Sequence, residues 1–121
     1  MIITYVQIRD TGTDTRLEGV ASVTLDGLMV IHDIKVISNT EGGYFLAMPS
    51  RRLPNGTFKD IVHPISKESR AAFEKIIIGC FMQLRESGAD VMSFVLKNAD
   101  KASMLEQDAS DFEKREITEE E

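Results

Sequence analysis

The sequence predicts an α+β fold: an antiparallel β-meander of about five strands with one main helix packed on one face, then a partly ordered C-terminal extension. Three observations predict it. Apolar residues alternate with polar ones through much of residues 2–62, and over 66–86 they recur at three- and four-residue steps. Turn residues punctuate the first half at intervals of about 10–15 residues. The early connections are too short for helical crossovers, so a βαβ arrangement is excluded there.

Residues 2–9, IITYVQIR, place Ile2, Val6 and Ile8 on one strand face with Thr4 between them. After the Thr11–Asp14 loop, Leu17, Ala21, Val23 and Leu25 alternate with Glu18, Ser22, Thr24 and Asp26. Asp26-Gly27 then joins two alternating runs, the pattern of a type I′ hairpin, whose two central residues both need positive φ. In the following strand Leu28, Val30, Ile34 and Val36 share one face. Met29, Ile31, Asp33, Lys35 and Ile37 share the other. A second turn at Ser38–Gly43 leads into YFLAMP, and a third at Pro54-Asn55-Gly56 separates SRRL from TFKDIV.

Beyond His63-Pro64 the period changes. Ser66 is the N-cap candidate, and Ala72, Phe73, Ile76, Ile77, Cys80, Phe81 and Leu84 form one apolar stripe of a helix reaching about Glu86. Ser87-Gly88 stops it, with Gly88 at C′. Residues 89–98, ADVMSFVLKN, fit helix and strand equally well, and order is expected to fade after about residue 105. The chain thus divides into a sheet-plus-helix domain over 1–88 and an acidic extension over 89–121.

Charge follows the same division. Residues 1–88 carry 10 basic and 10 acidic groups, whereas residues 89–121 carry 4 and 10, so the whole net charge of −6 lies in the extension. Residues 44–70 are locally basic, with Arg51, Arg52, Lys59, Lys67 and Arg70 against Asp60 and Glu68. The acidic tail is either a solvated end or a competitor with nucleic acid for this basic patch.

Other classes find little support. The single cysteine excludes an intramolecular disulfide, and two histidines exclude a three-His zinc site within one chain. Neither a membrane span nor a signal peptide is expected, so the chain is placed in the cytoplasm. Cys80 lies within the helix stripe and reads as a buried structural thiol. His63-Pro64 reads as a strand exit, and His32 and Asp33, as strand neighbours, point to opposite faces. Gly42-Gly43 lacks the phosphate-cradle pattern. With no nucleophile–base arrangement visible, no catalytic residue, metal, cofactor or small-molecule substrate is expected.

HDIKVI at 32–37, GGYFLAMPSRR at 42–52 and GTFKDIVHPI at 56–65 stand in an order and spacing that closely resembles the bacterial stage V sporulation protein G family of septation regulators. ASVTLDG at 21–27 fits as well, and the resemblance covers roughly residues 1–85. It implies a small β-sheet with a helix on one side, a homodimer, and a DNA- and RNA-binding regulator with roles in gene regulation, septum formation and sporulation. It also implies that the basic residues at and after MPSR contact nucleic acid, which here means Arg51 and Arg52, with Lys59 across the Asn-Gly turn.

Such a ribbon can lie along phosphates and enter a major groove. Lys67 and Arg70, on the first turns of the helix, either extend the basic surface or form its solvated face. Phe58 either stacks on a base or packs into the core, and Lys35 reads as a solvent-side residue. The expected partners are DNA or RNA and a second copy joined by sheet-edge pairing. The alternatives are a protein-interaction module in cell division that does not bind nucleic acid, and a purely structural oligomer.

Overall fold

The computed structural model describes residues 1–116. Eight strands form: β1 (Ile3–Asp10), β2 (Leu17–Leu25), β3 (Met29–Ser38), β4 (Tyr44–Ala47), β5 (Ser50–Arg52), β6 (Phe58–Asp60), β7 (Val91–Leu96) and β8 (Phe112–Glu116). One helix, α1 (Lys67–Ser87), lies between β6 and β7. Six strands make an antiparallel sheet in the order β4-β3-β2-β1-β7-β8, while β5 and β6 form a separate two-stranded ribbon. The meander of β1 to β4 matches the sequence reading. Of the six strands before α1, four make the meander and two the separate ribbon, and the segment after α1 adds two more strands to the main sheet.

Local chemistry explains most of these elements. Asp26 (φ 52) and Gly27 (φ 64) both lie in the left-handed region, as a type I′ turn requires, and Leu28 N–H donates to Leu25 O at 2.9 Å. The helix begins at Ser66, whose side chain accepts from Ser69 N–H while Ser69 Oγ returns the bond to Ser66 N–H. It ends at Gly88, with φ 76. The predicted stripe from Ala72 to Leu84 is buried, and Ile76, Ile77, Phe81 and Leu84 are fully enclosed. Each large side chain so buried contributes about 1.5–3 kcal/mol.

Two strand phases depart from simple alternation, and β-bulges are the reason. In β1 the register slips between Ile3 and Tyr5, so Ile3, rather than Ile2, joins Val6 and Ile8 in the core. In β3 the slip lies between Ile31 and Ile34, and Asp33 takes φ 61, so His32 and Asp33 both stand opposite Ser22 on the outer side instead of on the opposite faces that alternation predicts. Ile31, Ile34 and Val36 therefore face the core side, while Leu28 and Val30 stand in solvent. A one-residue slip reverses every side chain beyond it, and this one splits the face that strict alternation assigns to Leu28, Val30, Ile34 and Val36.

The C-terminal segment is built into the fold, and order continues well past residue 105. Two 3₁₀ turns, Met104–Glu106 and Ala109–Asp111, precede β8. Gln107, fully buried, accepts from Ile3 N–H and donates to Ile3 O, both at 2.8 Å. Its side-chain amide thus imitates a strand neighbour beyond the end of β7. The second turn lies close against α1, where Gly79 leaves room: a Cβ at this glycine would stand 2.7 Å from Ala109 Cβ. The expected disorder at the chain end concerns residues 117–121, outside the described residues.

Candidate nucleic-acid interface

The basic ribbon leaves the sheet after β4 and returns to α1 through residues 61–66. Every residue of β5 and β6 is exposed. Ile61 N–H donates to Pro49 O at 2.8 Å at its base, and Leu53 N–H donates to Thr57 O at 2.7 Å at its tip. Pro54-Asn55-Gly56 forms the turn, with Gly56 at φ 87 and Asn55 Oδ1 accepting from Thr57 N–H and Oγ1.

Register decides how the cations are displayed. Arg51 stands opposite Lys59, Arg52 opposite Phe58, and Ser50 opposite Asp60. Opposed residues share a face, and their neighbours take the other face. Arg51 and Lys59 therefore stand side by side on one face, with Cβ atoms roughly 5 Å apart. Arg52 lies on the opposite face with Phe58 and Asp60. The three cations thus occupy both faces of the ribbon rather than one row. Among the described residues none of the three forms an ion pair. Like charges set opposite one another are unfavourable in a free ribbon, and a polyanion relieves that repulsion.

Phe58 is 70% exposed, so the core-packing alternative does not hold for it. With Lys59, Asp60 and His63 it lines an open hollow of about 390 Å³. His63 Nδ1 lies 2.8 Å from Pro64 O, as suits a strand exit. Lys67 is exposed at the first helical residue, the end at which the helix dipole is positive. Arg70 is half-buried and directed elsewhere: its guanidinium donates to Leu46 O at 3.3 Å, while Leu46 N–H donates to Glu74 Oε2 at 3.1 Å. Two helix side chains thus occupy the outward backbone groups of Leu46 on edge strand β4. Of the five predicted cations, Arg51, Lys59 and Arg52 share the ribbon, Lys67 heads the helix, and Arg70 fastens the sheet edge.

A second charged cluster escaped sequence reasoning. Arg85 binds Asp10 through two nitrogens, at 2.9 and 3.1 Å, and also reaches Glu18 and the Tyr44 hydroxyl. Its guanidinium lies 4.7 Å from the centre of the Phe81 ring, and Tyr44 meets that ring edge-on. Hydrogen bonds from Arg85 hold the Asp10 and Glu18 carboxyls below their ordinary range against the opposing effect of burial. Gly19 admits the ring, since a Cβ there would stand 2.8 Å from Phe81. The four polar partners lie on β1, β2, β4 and α1, so no local spacing announces them. Their mutual satisfaction identifies a structural cluster. Cys80 is enclosed, and burial pushes its thiol up to about 12, so it stays protonated.

Among the described residues no group of three His, Cys, Asp or Glu side chains is placed to hold a metal ion, and no helix is long and apolar enough to cross a membrane. Comparison with known proteins covers the first six strands and most of α1. The sequence model of the SpoVG family matches residues 1–83. A relative in Listeria monocytogenes serotype 4b, named "Putative septation protein SpoVG 1", is 46% identical over 81 residues, 67% of this chain and 78% of its own. "Putative septation protein SpoVG" of Acholeplasma laidlawii is 43% identical over 89 residues, 74% of this chain and 94% of its own. The protein of the same name in Bacillus velezensis is 42% identical over 89 residues, 74% and 91% of the two chains.

Proposed function

Because the chain belongs to the SpoVG family, we propose that it is a nucleic-acid-binding regulator of gene expression and septation, acting as a homodimer without catalysis. The observation that carries this reading is the ribbon: Arg51 beside Lys59, with Arg52 on the reverse face, exposed and free of ion pairs among the described residues of an acidic chain. A two-stranded ribbon is narrow enough for the roughly 12 Å major groove, where cations on both of its faces meet the phosphates of the two groove walls. Backbone contacts of this kind position the protein, release counterions and make binding salt-sensitive. Lys67 adds positive potential at the helix start. The second copy joins along a sheet edge, and β8 is the edge that the α1 side chains leave open. Pairing presents the ribbon twice, so that two weak contacts act together.

A second reading, a protein-docking module in cell division, draws on the apolar residues beside the cations: Phe58, Ile61 and Ile65 are all exposed. One experiment separates the two. Wild type and Arg51→Ala/Arg52→Ala, both of verified fold and oligomeric state, are titrated with mixed-sequence duplex DNA and structured RNA at two salt concentrations. Salt-sensitive binding that the double variant weakens at least tenfold, with a shallower salt slope, supports the regulator. Absence of binding by the folded wild type at either salt refutes it and favours the docking module.

A further inference from the structure

We propose that the outer face of the six-stranded sheet is a second nucleic-acid surface, which takes a single strand with unpaired bases; the inference rests on the nucleic-acid reading above. The helix and both 3₁₀ turns pack on the inner side, with Val6, Ile8, Ala21, Val23, Ile34 and Val36. Among the described residues, no element covers the other side.

The register arranges that outer face in rows across the strands. One row runs Val91, Arg9, Val20, Lys35 and Ala47. It sets the two cations two strands apart, about 10 Å. On β1, β2 and β4 the side that carries these residues has no carboxylate, and on β3 its one acid is Asp33, exposed in the bulge. On β8, Glu113 of the outer rows pairs with Arg115. The inner face behaves oppositely, since Arg85 is held there by Asp10 and Glu18. Arg9 and Lys35 make no ion pair among the described residues. A chain with a net charge of −6 therefore sets two cations, Arg9 and Lys35, against a single acid, Asp33, over four strands of this face. That is charge complementarity toward a polyanion.

The shape of this face selects the kind of strand. Arg9, Gln7 and Ser22, with Val20 and Val91, line a shallow hollow of about 270 Å³. A cation, an amide and a hydroxyl around an apolar floor offer a charge for phosphate and hydrogen-bonding groups for a base edge. Tyr5 and Phe45 on the neighbouring rows supply aromatic rings for stacking. Six strands span about 24 Å, twice the width of a major groove, so this face cannot enter a duplex as the ribbon can. It suits splayed bases instead.

The test uses the full chain and three labelled probes: ten-nucleotide oligo(U) RNA, oligo(dT) DNA of equal length, and a mixed-sequence duplex. Anisotropy titrations compare wild type, Arg9→Ala/Lys35→Ala, the charge-conserving Arg9→Lys/Lys35→Arg, and Arg51→Ala/Arg52→Ala. Circular dichroism and sedimentation verify that fold and oligomeric state are unchanged. We expect Arg9→Ala/Lys35→Ala to weaken single-strand binding at least tenfold and to lower its salt slope by about 1.4. Duplex binding should stay within twofold, and the charge-conserving variant should retain most single-strand affinity. The RNA and DNA probes report which sugar the face prefers.

Equal single-strand binding by wild type and Arg9→Ala/Lys35→Ala overturns the proposal. A parallel loss on duplex and single strand also overturns it, since that reports one shared site. A change in oligomeric state overturns it by showing that the face joins copies of the chain. Duplex binding by a wild type that ignores both single strands refutes this inference alone. Failure to bind any probe refutes the regulator reading itself.

Discussion

Replacing Arg85 by methionine tests the charged cluster that ties α1 to three strands. Methionine keeps packing volume over Phe81 but strands two carboxylates, Asp10 and Glu18, whose positive partner is gone. Removing one member of a fully buried ion pair costs about 3–5 kcal/mol. Here the Arg85, Asp10 and Glu18 side chains retain 26%, 20% and 11% of their exposure, so water screens part of the stranded charge. We expect a loss of about 2–3 kcal/mol near pH 7, a fall in Tm of roughly 10 °C.

The loss must also depend on pH, with a definite sign. Both carboxyls are held below their ordinary range in the folded protein. Their contribution is therefore fully present above the unfolded-state values, about 4, and is lost as pH falls through the lower folded-state values. In Arg85→Met the carboxylates gain nothing from being charged, and protonation relieves their repulsion. The stability gap between wild type and variant should narrow to about 1 kcal/mol near pH 3. Urea unfolding followed by far-ultraviolet circular dichroism at several pH values measures it. A gap below about 0.5 kcal/mol at neutral pH, or one that stays constant down to pH 3, would refute the reasoning.

Two further outcomes test how the C-terminal segment is attached. Gln107→Leu leaves the buried N–H and C=O of Ile3 without their side-chain partner, and should cost about 2–4 kcal/mol. Hydrogen exchange should accelerate at Ile3 more than at Val6, and unchanged protection at Ile3 would count against the clamp. Gly79→Ala should fail to stabilise the protein, although the same change in an unobstructed helix gains up to about 1 kcal/mol, because the new methyl meets Ala109 at 2.7 Å. The double variant Gly79→Ala/Ala109→Gly should recover that gain, and a thermal melt showing Gly79→Ala alone to be stabilising would disprove the contact.

What the sequence determined by itself were the features with a local cause. The Asp26-Gly27 turn needs two residues that accept positive φ, and two such residues stand there. The Ser66 cap, the Gly88 stop and the stripe from Ala72 to Leu84 all follow from interactions within a few residues. The basic cluster at 51–59 was legible for the same reason, since a short hairpin keeps sequence neighbours close in space. Tertiary structure decided the rest. The bulges in β1 and β3 shift which side chains face the core, and a bulge depends on the partner strand as much as on its own residues. Residues 91–96 became a strand because the open edge of β1 offered backbone partners, although their own pattern fits helix equally well. Arg70 turned toward Leu46 because α1 crosses beside β4. Arg85, Asp10, Glu18 and Tyr44 meet from positions up to 75 residues apart, and Arg9 and Lys35 share a row only through the registers of β1, β2 and β3. Long-range contacts of this kind carry no signal in local spacing, because burial and charge pairing are properties of assembled surfaces.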